Sequence, residues 1–394
     1  MAFKIPKSYI MKLYNEFKNT IHKMKINSVI SNVNRVDESE YTKRALLIYI
    51  VRPFFERGAS SGHQNRRQSK QIVNLLDQSS YVVDVVDIKN RTFRPDKAYD
   101  LVICNRVIDT PLNNDAIRIY LATTLHHKTH NENLRIRHER LYKRRGCRLQ
   151  LRRAYPESMP YVRKSDAIVG FGNEFIMNSW RGAFNVPVYP FNNYGFKETE
   201  FFFDSKDFNT ARKNFLFFAS KSQMQKGLDL LLEIFPKHPH LHLYICSGYK
   251  REHDFCACYH KELHDTSNIH PIGYVKVNGH EYTELVRKCA YVIAPSCSEG
   301  QSGSVVQCMY SGLIPLVTKE VGIDTEEFGI TFADDSLEEI ERVIAEVSEK
   351  PESWHREHSI RTRKISEKKY SEDAFMDRWR YMLAEILIGA EANK

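Results

Sequence analysis

No stretch of this sequence stays apolar for long. Its longest apolar runs, such as "ALLIYIV" at 45–51 and "LHLYI" at 241–245, stop far short of the roughly 18 residues that a membrane-spanning helix needs. The N-terminus has neither the apolar core nor the small-residue cleavage site of a secretory leader. These absences predict a chain that stays in the cytoplasm. A collagen-like period, low-complexity tracts and a disorder-type composition are also lacking. Cysteines are scattered at 104, 147, 246, 256, 258, 289, 297 and 308, several inside apolar runs such as "LVIC" and "YIC". That usage reads as reduced cysteine filling core space, so no disulfide is expected.

What is present is a globular composition: 394 residues, 42% apolar, 27% charged and 12% aromatic. The length exceeds one ordinary core and predicts two domains with a cleft. Net charge is +9, from 58 basic and 49 acidic residues, and its distribution matters more than its sum. Residues 1–28 carry six lysines against one acid, and 134–153, "LRIRHERLYKRRGCRLQLRR", carry nine basic residues against Glu139. This excess points to an anionic partner. The first stretch sets Ile10, Leu13, Phe17, Ile21 and Met24 on one helical stripe among Lys12, Lys18, Lys23 and Lys25. Peripheral attachment to an anionic membrane and docking on the first domain fit that stripe equally. The second stretch fits an acidic acceptor or a lipid phosphate as well as it fits a solvated helix face. No aromatic-rich platform or nucleic-acid motif accompanies either, which argues against a nucleic-acid partner.

Short apolar runs alternate with longer amphipathic ones, twice over, as βαβ units of parallel sheets require. The first set has strands near 45–51, 81–88, 99–104, 117–123, 166–171 and 186–189, with helices at 64–77 and 131–145. Pro, Asn and Gly break the rhythm over 190–214, the best linker candidate. A second set follows, with strands at "FLFFAS", "LHLYIC", "NIHPIG", "AYVIAPS" and "LIPLVT". Between them "KGLDLLLEIF" repeats Leu228, Leu231, Leu232 and Phe235 on one helical face. In the tail, Phe375, Trp379, Met382 and Ile386 at helical spacing predict a helix that docks. The expected division is an N-terminal helical segment (1–40), a first Rossmann-like acceptor domain (41–195), a linker (196–212), a second Rossmann-like donor domain (213–370), and a C-terminal helix (371–394) crossing back to the first domain.

Open parallel sheets bind ligands beyond the carboxyl ends of their strands, where glycine-rich loops and helix N-termini turn N–H groups toward anions. Residues 291–312 have that layout: strand "YVIAPS", loop "CSEGQSGS", helix "VVQCMYS", and Gly312 as a left-handed cap. Gly300 and Gly303 would let the backbone approach a ligand, with Gln301, Ser302 and Ser304 facing phosphate. In "FFASKSQMQKGLDLLL", 217–232, Lys221 and Lys226 surround the end of another strand. Two cations can neutralise a diphosphate and stabilise it as a leaving group. The loop alone is equally an ordinary strand-to-helix turn, and a lysine alone near a strand end is more often solvated surface than site.

Together these motifs resemble family-four glycosyltransferases of the two-domain GT-B fold. In that family a strand ends in Gly-Arg and a Lys-Gly follows; here the counterparts are Ser220-Lys221 and Lys226-Gly227, so the cation is kept and the bidentate fork is lost. The family's Glu-Gly appears as Glu299-Gly300, but its second glutamate, which holds the nucleotide ribose, is Gln307. The resemblance implies that Gln307 keeps that contact without the charge. "NIHPIGYVKVNGHEYTELVRKCAYVIAPS" looks like the stretch whose loop packs on the nucleobase, which would place Tyr274, Val275 and Lys276 there. "SGLIPLVTKEVGID" matches the segment after the glutamate motif, so the resemblance covers most of the C-terminal half.

The resemblance implies an α/β fold of two doubly wound Rossmann-like domains facing a central cleft. It implies retaining, metal-independent transfer of a sugar from a nucleoside-diphosphate sugar to a glycan or lipid-linked acceptor, the donor being a substrate and no separate cofactor being needed. Lys221, Lys226 and loop N–H groups would stabilise the departing diphosphate, Glu299 would hold sugar hydroxyls, and domain closure would exclude water. In the first domain, the family's loop touching acceptor and donor phosphate corresponds to Gly62, His63 and Asn65; a solvated loop tip fits these residues equally. A first-domain histidine commonly sits against the donor sugar, and of His126, His127 and His130 the residue nearest the strand end is His126. The set His253, Cys256, Cys258, His260 and His264 suggests zinc, but its spacing matches no common paired-ligand pattern and the segment also reads as a helix. Two rivals remain: a non-catalytic sugar-nucleotide-binding protein in which Lys221 and Gln307 have drifted, and a GT-B epimerase acting on the nucleotide sugar itself. The expected location is cytoplasmic, with peripheral attachment at the inner membrane face if the N-terminal stripe binds lipid.

Overall fold

The computed structural model describes residues 29–55, 64–105, 116–159, 162–197 and 199–392. The N-terminal stripe from Ile10 to Met24, and Gly62 and His63, lie outside these residues. After β1 (Val29–Ile30), a short strand inside the segment expected to be helical, the first set of apolar runs forms β2 (Lys43–Tyr49), β3 (Tyr81–Asp87), β4 (Leu101–Cys104), β5 (Ile117–Ala122), β6 (Ala167–Phe171) and β7 (Val188–Phe191). They make a sheet in the order β1-β3-β2-β4-β5-β6-β7. β2 pairs in parallel with both β3 and β4, while β1 is antiparallel to β3. β3 is buried along its whole length, as a parallel strand covered on both faces must be.

The second set forms β8 (Asn214–Phe218), β9 (His242–Cys246), β10 (Ile269–Pro271), β11 (Tyr291–Ala294) and β12 (Ile314–Val317), and a two-residue strand, β13 (Ile330–Thr331), follows them. Their order is β10-β9-β8-β11-β12-β13, with every pairing parallel. Counting β8 as the first strand, this is the 3-2-1-4-5-6 order of a dinucleotide-binding sheet, whose direction of winding reverses between β8 and β11. The loops leaving those two strands therefore open at the switch point, where such sheets take ligands.

The chain divides into two compact units. One comprises Met1–Leu121, Lys164–Ile168 and Trp379–Lys394. Its core includes Leu46, Ile48, Val86, Phe93, Tyr99 and Val102. The buried Asp84 carboxylate is satisfied there by the Tyr99 hydroxyl at 2.8 Å, the Asn32 N–H at 2.8 Å and the Lys97 ammonium at 3.2 Å. Trp379 and Met382 are fully buried, so the tail helix Glu372–Ala392 docks along the stripe its sequence predicted.

The other unit comprises Ala122–Arg163 and Val169–Arg378. One cluster of its core joins Phe215, Leu231, Leu243, Ile293 and Ile344, and the helix His127–Arg145 adds Leu134 and Leu141 to it. A second gathers Leu216, Val292, Val306, Met309 and Val317. Each fully buried leucine stabilises the fold by about 1.5–3 kcal/mol. Helix His127–Arg145 ends at Gly146, whose φ of 69° suits the left-handed turn after a helix.

Helix Glu352–Lys369 has no apolar stripe to announce it. Its inward face is His355, Ser359, Thr362 and Ser366, all buried. These side chains satisfy backbone instead: Ser359 donates to the Gly312 carbonyl at 2.7 Å, and Thr362 to that of Phe328 at 3.2 Å.

The expectation of wholly reduced cysteine is corrected. Cys147 and Cys258 form a disulfide, their Cα atoms 6.1 Å apart. The left-handed turn at Gly146 sends the chain back against the end of helix His253–Cys258, bringing together residues separated by 111 positions. With Cys258 bonded and the Cys256 thiol donating to the Tyr249 carbonyl, the His/Cys set of 253–264 forms no metal cluster. Among the described residues no helix is long and apolar enough to cross a membrane.

Thiol titration of the chain unfolded without reductant is expected to count the six free cysteines at 104, 246, 256, 289, 297 and 308. All eight cysteines of the sequence should react once reductant is added; eight before reduction would contradict the Cys147–Cys258 bond.

Candidate functional site

The loop after β8 runs from Ala219 to Gly227 and is shaped by its own turn chemistry. Ser222 adopts a left-handed φ of 65°. The Glu252 carboxylate accepts its N–H at 2.5 Å and that of Gln223 at 3.1 Å. Gly227 begins the helix Leu228–Ile234 at φ 85°, and a Cβ there would lie 2.3 Å from the Pro295 carbonyl oxygen. That close approach needs glycine and brings the loop after β11 alongside.

Gln225 joins the two loops directly. Its side-chain amide donates to the Ser298 carbonyl at 2.6 Å, while its own carbonyl accepts from the Cys297 N–H and the Ser296 hydroxyl, each at 2.9 Å. Between the loops the Lys226 ammonium contacts the Glu299 carboxylate, with both side chains largely buried. Burial, and next the nearby Arg153 guanidinium, push the Lys226 ammonium well below the usual lysine range. The carboxylate against it favours the charged form.

Helix His127–Arg145 braces this arrangement from one side. His130, Asn133 and Arg137 share a helical face. Asn133 donates to the Cys297 carbonyl at 2.9 Å. Arg137, fully buried, donates to the Pro295 carbonyl at 3.0 Å, to that of Met224 at 3.4 Å, and to Asp335 at 2.8 Å and Asp229 at 3.3 Å. His130 is pushed down to about 4, chiefly by burial, so its ring is neutral at neutral pH. Its Nε2 lies 2.8 Å from the Arg153 carbonyl, which can only accept, so Nε2 carries the proton. Nδ1 is then the acceptor for the Ser298 hydroxyl at 2.7 Å.

Five basic residues of the stretch 134–153 are paired with acids elsewhere in the fold, while Arg148 and Arg153 stay exposed. Arg137 and Arg144 pair with Asp229, Arg140 with Asp335, Arg145 with Glu262 and Arg152 with Asp254. The acids lie far along the chain, so charge counting within the stretch could not find them.

The residues expected to face the donor separate into distinct groups. Glu299, Lys226, Ser302 and Ser304 stand together around the loops, and helix Gly303–Tyr310 begins there. Its first turn leaves backbone N–H groups without intrahelical acceptors. Ser220 and Lys221 are exposed at the end of β8. Tyr274 is 77% exposed, whereas the Val275 side chain is buried in the core. Gly300 approaches the chain itself rather than offering room to a ligand: a Cβ there would lie 2.6 Å from the Thr123 carbonyl oxygen.

Gln301 and Gln307 are bonded internally. Gln301 accepts from the Asn193 N–H at 2.6 Å and donates to Asn192 Oδ1 at 2.7 Å and the Gly322 carbonyl at 2.9 Å. Gln307 accepts from the Phe196 N–H at 3.0 Å and donates to the Thr199 hydroxyl at 2.6 Å. Both fasten the segment 192–199 to the loop. His126 packs edge-on against Trp180 and Phe184 and lines a cavity with Glu157, Met159 and Arg163, while His130 is the histidine held against the Glu299 loop. Asn65 sits in the first turn of helix Gln64–Gln78, in the other unit. Sequence reasoning missed Gln225, Glu252, Arg137 and Arg153; helical spacing from His130 to Arg137 was the one local signal.

Residues 212–350 match the protein family described as "Glycosyl transferases group 1", which bears out the resemblance read from the Lys226 and Glu299 motifs. No curated protein matches the chain. Among solved structures, it is similar to sucrose-phosphate synthase from Thermosynechococcus elongatus, with 11% identity and a TM-score of 0.56 over 88% of this chain and 100% of that one. It is also similar to Anabaena HepE, crystallised with UDP and glucose, with 10% identity and a TM-score of 0.51 over 87% of this chain and 100% of that one. For a mutant of S. aureus TarM crystallised with UDP among its ligands, identity is 14% and the TM-score 0.50, over 71% of this chain and 54% of that one. The chain thus spans about half the length of TarM. The fold is GT-B, with two Rossmann-like α/β regions.

Lys226→Met leaves the Glu299 carboxylate largely buried without its cation, and is expected to lower the unfolding free energy by about 3 kcal/mol. Adding Glu299→Met should return part of that loss, so that urea denaturation finds the double variant less destabilised than the sum of the single ones. Simple additivity would mean that the two side chains are not coupled.

Proposed function

We propose that this chain is a retaining glycosyltransferase moving a sugar from a nucleoside-diphosphate sugar to a hydroxyl of a glycan or lipid-linked acceptor. The observation that carries this reading is the Lys226–Glu299 contact between the loops of β8 and β11, at the switch point of the second sheet. The glycosyltransferase match over 212–350 includes both residues, and UDP-glucose, a ligand of HepE, is the first donor to test.

In the proposed reaction the donor's diphosphate draws the Lys226 ammonium away from Glu299 and rests against the first turn of helix Gly303–Tyr310. The bond between the anomeric carbon and the phosphate oxygen breaks while the acceptor oxygen bonds to that carbon on the same face. The acceptor's proton passes to the departing phosphate oxygen. Lys226 and the helix N–H groups stabilise charge appearing on the diphosphate, so a side-chain cation and a helix end can serve where other transferases use a divalent ion. Glu299, released from the lysine, accepts from sugar hydroxyls and stabilises positive charge at the anomeric carbon.

One observation favours a second reading. Gln307, the counterpart of the family's ribose-holding glutamate, has both amide ends bonded to Phe196 and Thr199. A non-catalytic sugar-nucleotide-binding protein would tolerate that loss.

Thermal-shift screening against nucleoside diphosphates and their sugars selects the donor, since a ligand of the folded state raises stability by mass action. The selected sugar should then be transferred, or slowly hydrolysed when no acceptor is present. Lys226→Ala is expected to lower turnover about 100- to 1000-fold. Binding without transfer or hydrolysis, unaffected by Glu299→Ala, would establish the non-catalytic reading; interconversion of donors without acceptor would establish an epimerase.

A further inference from the structure

The Lys226–Glu299 couple is close to neutral, and a donor diphosphate brings charge that this couple alone cannot balance. Lys221 was the expected second cation. The structure offers another, from a segment with no counterpart in the motifs that pointed to the site.

Residues 146–153 form a strap leaving helix His127–Arg145, and it is braced at every stage. Cys147 is bonded to Cys258. The Gln150 N–H donates to Asp254 at 2.7 Å, and the Arg152 guanidinium grips the same carboxylate at 2.5 and 3.1 Å. Beyond the strap, Asn131 holds Tyr155 by a reciprocal pair of bonds at 2.8 and 3.0 Å.

Between these anchors Arg153 adopts a left-handed φ of 60°, a conformation that a residue with a long side chain takes only when its surroundings impose it. Its carbonyl accepts from His130 Nε2, and the same ring accepts from Ser298, the neighbour of Glu299. The backbone is thereby fixed beside the site while the residue remains exposed. Among the described residues its guanidinium has no carboxylate within ion-pair distance, unlike Arg152 next to it. Its repulsion is, after burial, the largest influence disfavouring the Lys226 charge. Two cations held near one another, with one carboxylate for both, form a site that an anion completes.

We propose that Arg153 is a donor-phosphate ligand, carried on the braced strap to form with Lys226 the pair of cations that holds the diphosphate. This inference rests on the donor-site reading above. It assigns to Arg153 the role expected of Lys221, and a planar guanidinium can grip two phosphate oxygens where an ammonium meets them as a point charge.

Calorimetric titrations of the full chain with UDP, inorganic pyrophosphate and uridine test it, using wild type, Arg153→Ala, Arg153→Lys and Lys221→Ala. Arg153→Ala is expected to weaken UDP and pyrophosphate about tenfold, to leave uridine and the thermal midpoint unchanged, and to be partly rescued by Arg153→Lys. Lys221→Ala should weaken UDP less. Unchanged UDP affinity in Arg153→Ala, or an equal loss for uridine, would overturn the inference while leaving the proposed function intact. A wild type that binds neither UDP nor pyrophosphate would remove the donor-site reading, and this inference with it.

Discussion

The buried guanidinium of Arg137 is the constraint on which the site depends. Removing such a charge from water costs several kcal/mol unless its N–H groups all find acceptors. Here two of those acceptors are backbone carbonyls, Met224 in the loop after β8 and Pro295 in the loop after β11, and two are the carboxylates of Asp229 and Asp335. Satisfying one cation therefore fixes the two loops against each other. Gln225 and Asn133 extend the same lattice to Cys297 and Ser298, and the Lys226–Glu299 contact follows from where the loops are held.

Such bracing suits a site whose loop backbones stay in place while only the Lys226 and Glu299 side chains part. Dipoles and cations already in place cost no reorganisation when a diphosphate departs, whereas mobile loops would. Gln301 and Gln307 contribute by fastening the segment 192–199 rather than by reaching toward a ligand. Gly300 contributes by being absent of side chain, so that Thr123 and Phe171 can close against it. Several motif positions thus shape the platform through internal contacts.

Much of the fold was legible because its signals are local. Runs such as "YVVDVVDI" and "LHLYIC" announce buried parallel strands, and the stripe Phe375, Trp379, Met382 and Ile386 announces a docked helix; the structure has both. Lys226 and Glu299 were legible because strand, loop and helix stand in sequence around each. The internal bonds of Gln301 and Gln307 and the burial of Val275 were not legible, because a motif gives residue type and spacing but not the direction a side chain takes. The disulfide, the pairing of Arg137 with Asp229 and Asp335, and the grip of His130 on Ser298 join residues distant along the chain. Nothing in a local window encodes them. Helix Glu352–Lys369 escaped for a different reason, since its buried face is polar and leaves no hydrophobic period.

The central claim is that a diphosphate displaces Glu299 from Lys226 and binds there. A crystal structure of the full chain with UDP tests it most directly. The account predicts β-phosphate oxygens within hydrogen-bond reach of Lys226 Nζ and of the first-turn N–H groups of helix Gly303–Tyr310, with the Glu299 carboxylate moved off the lysine. An ordered UDP bound elsewhere, with the Lys226–Glu299 contact intact, would contradict it.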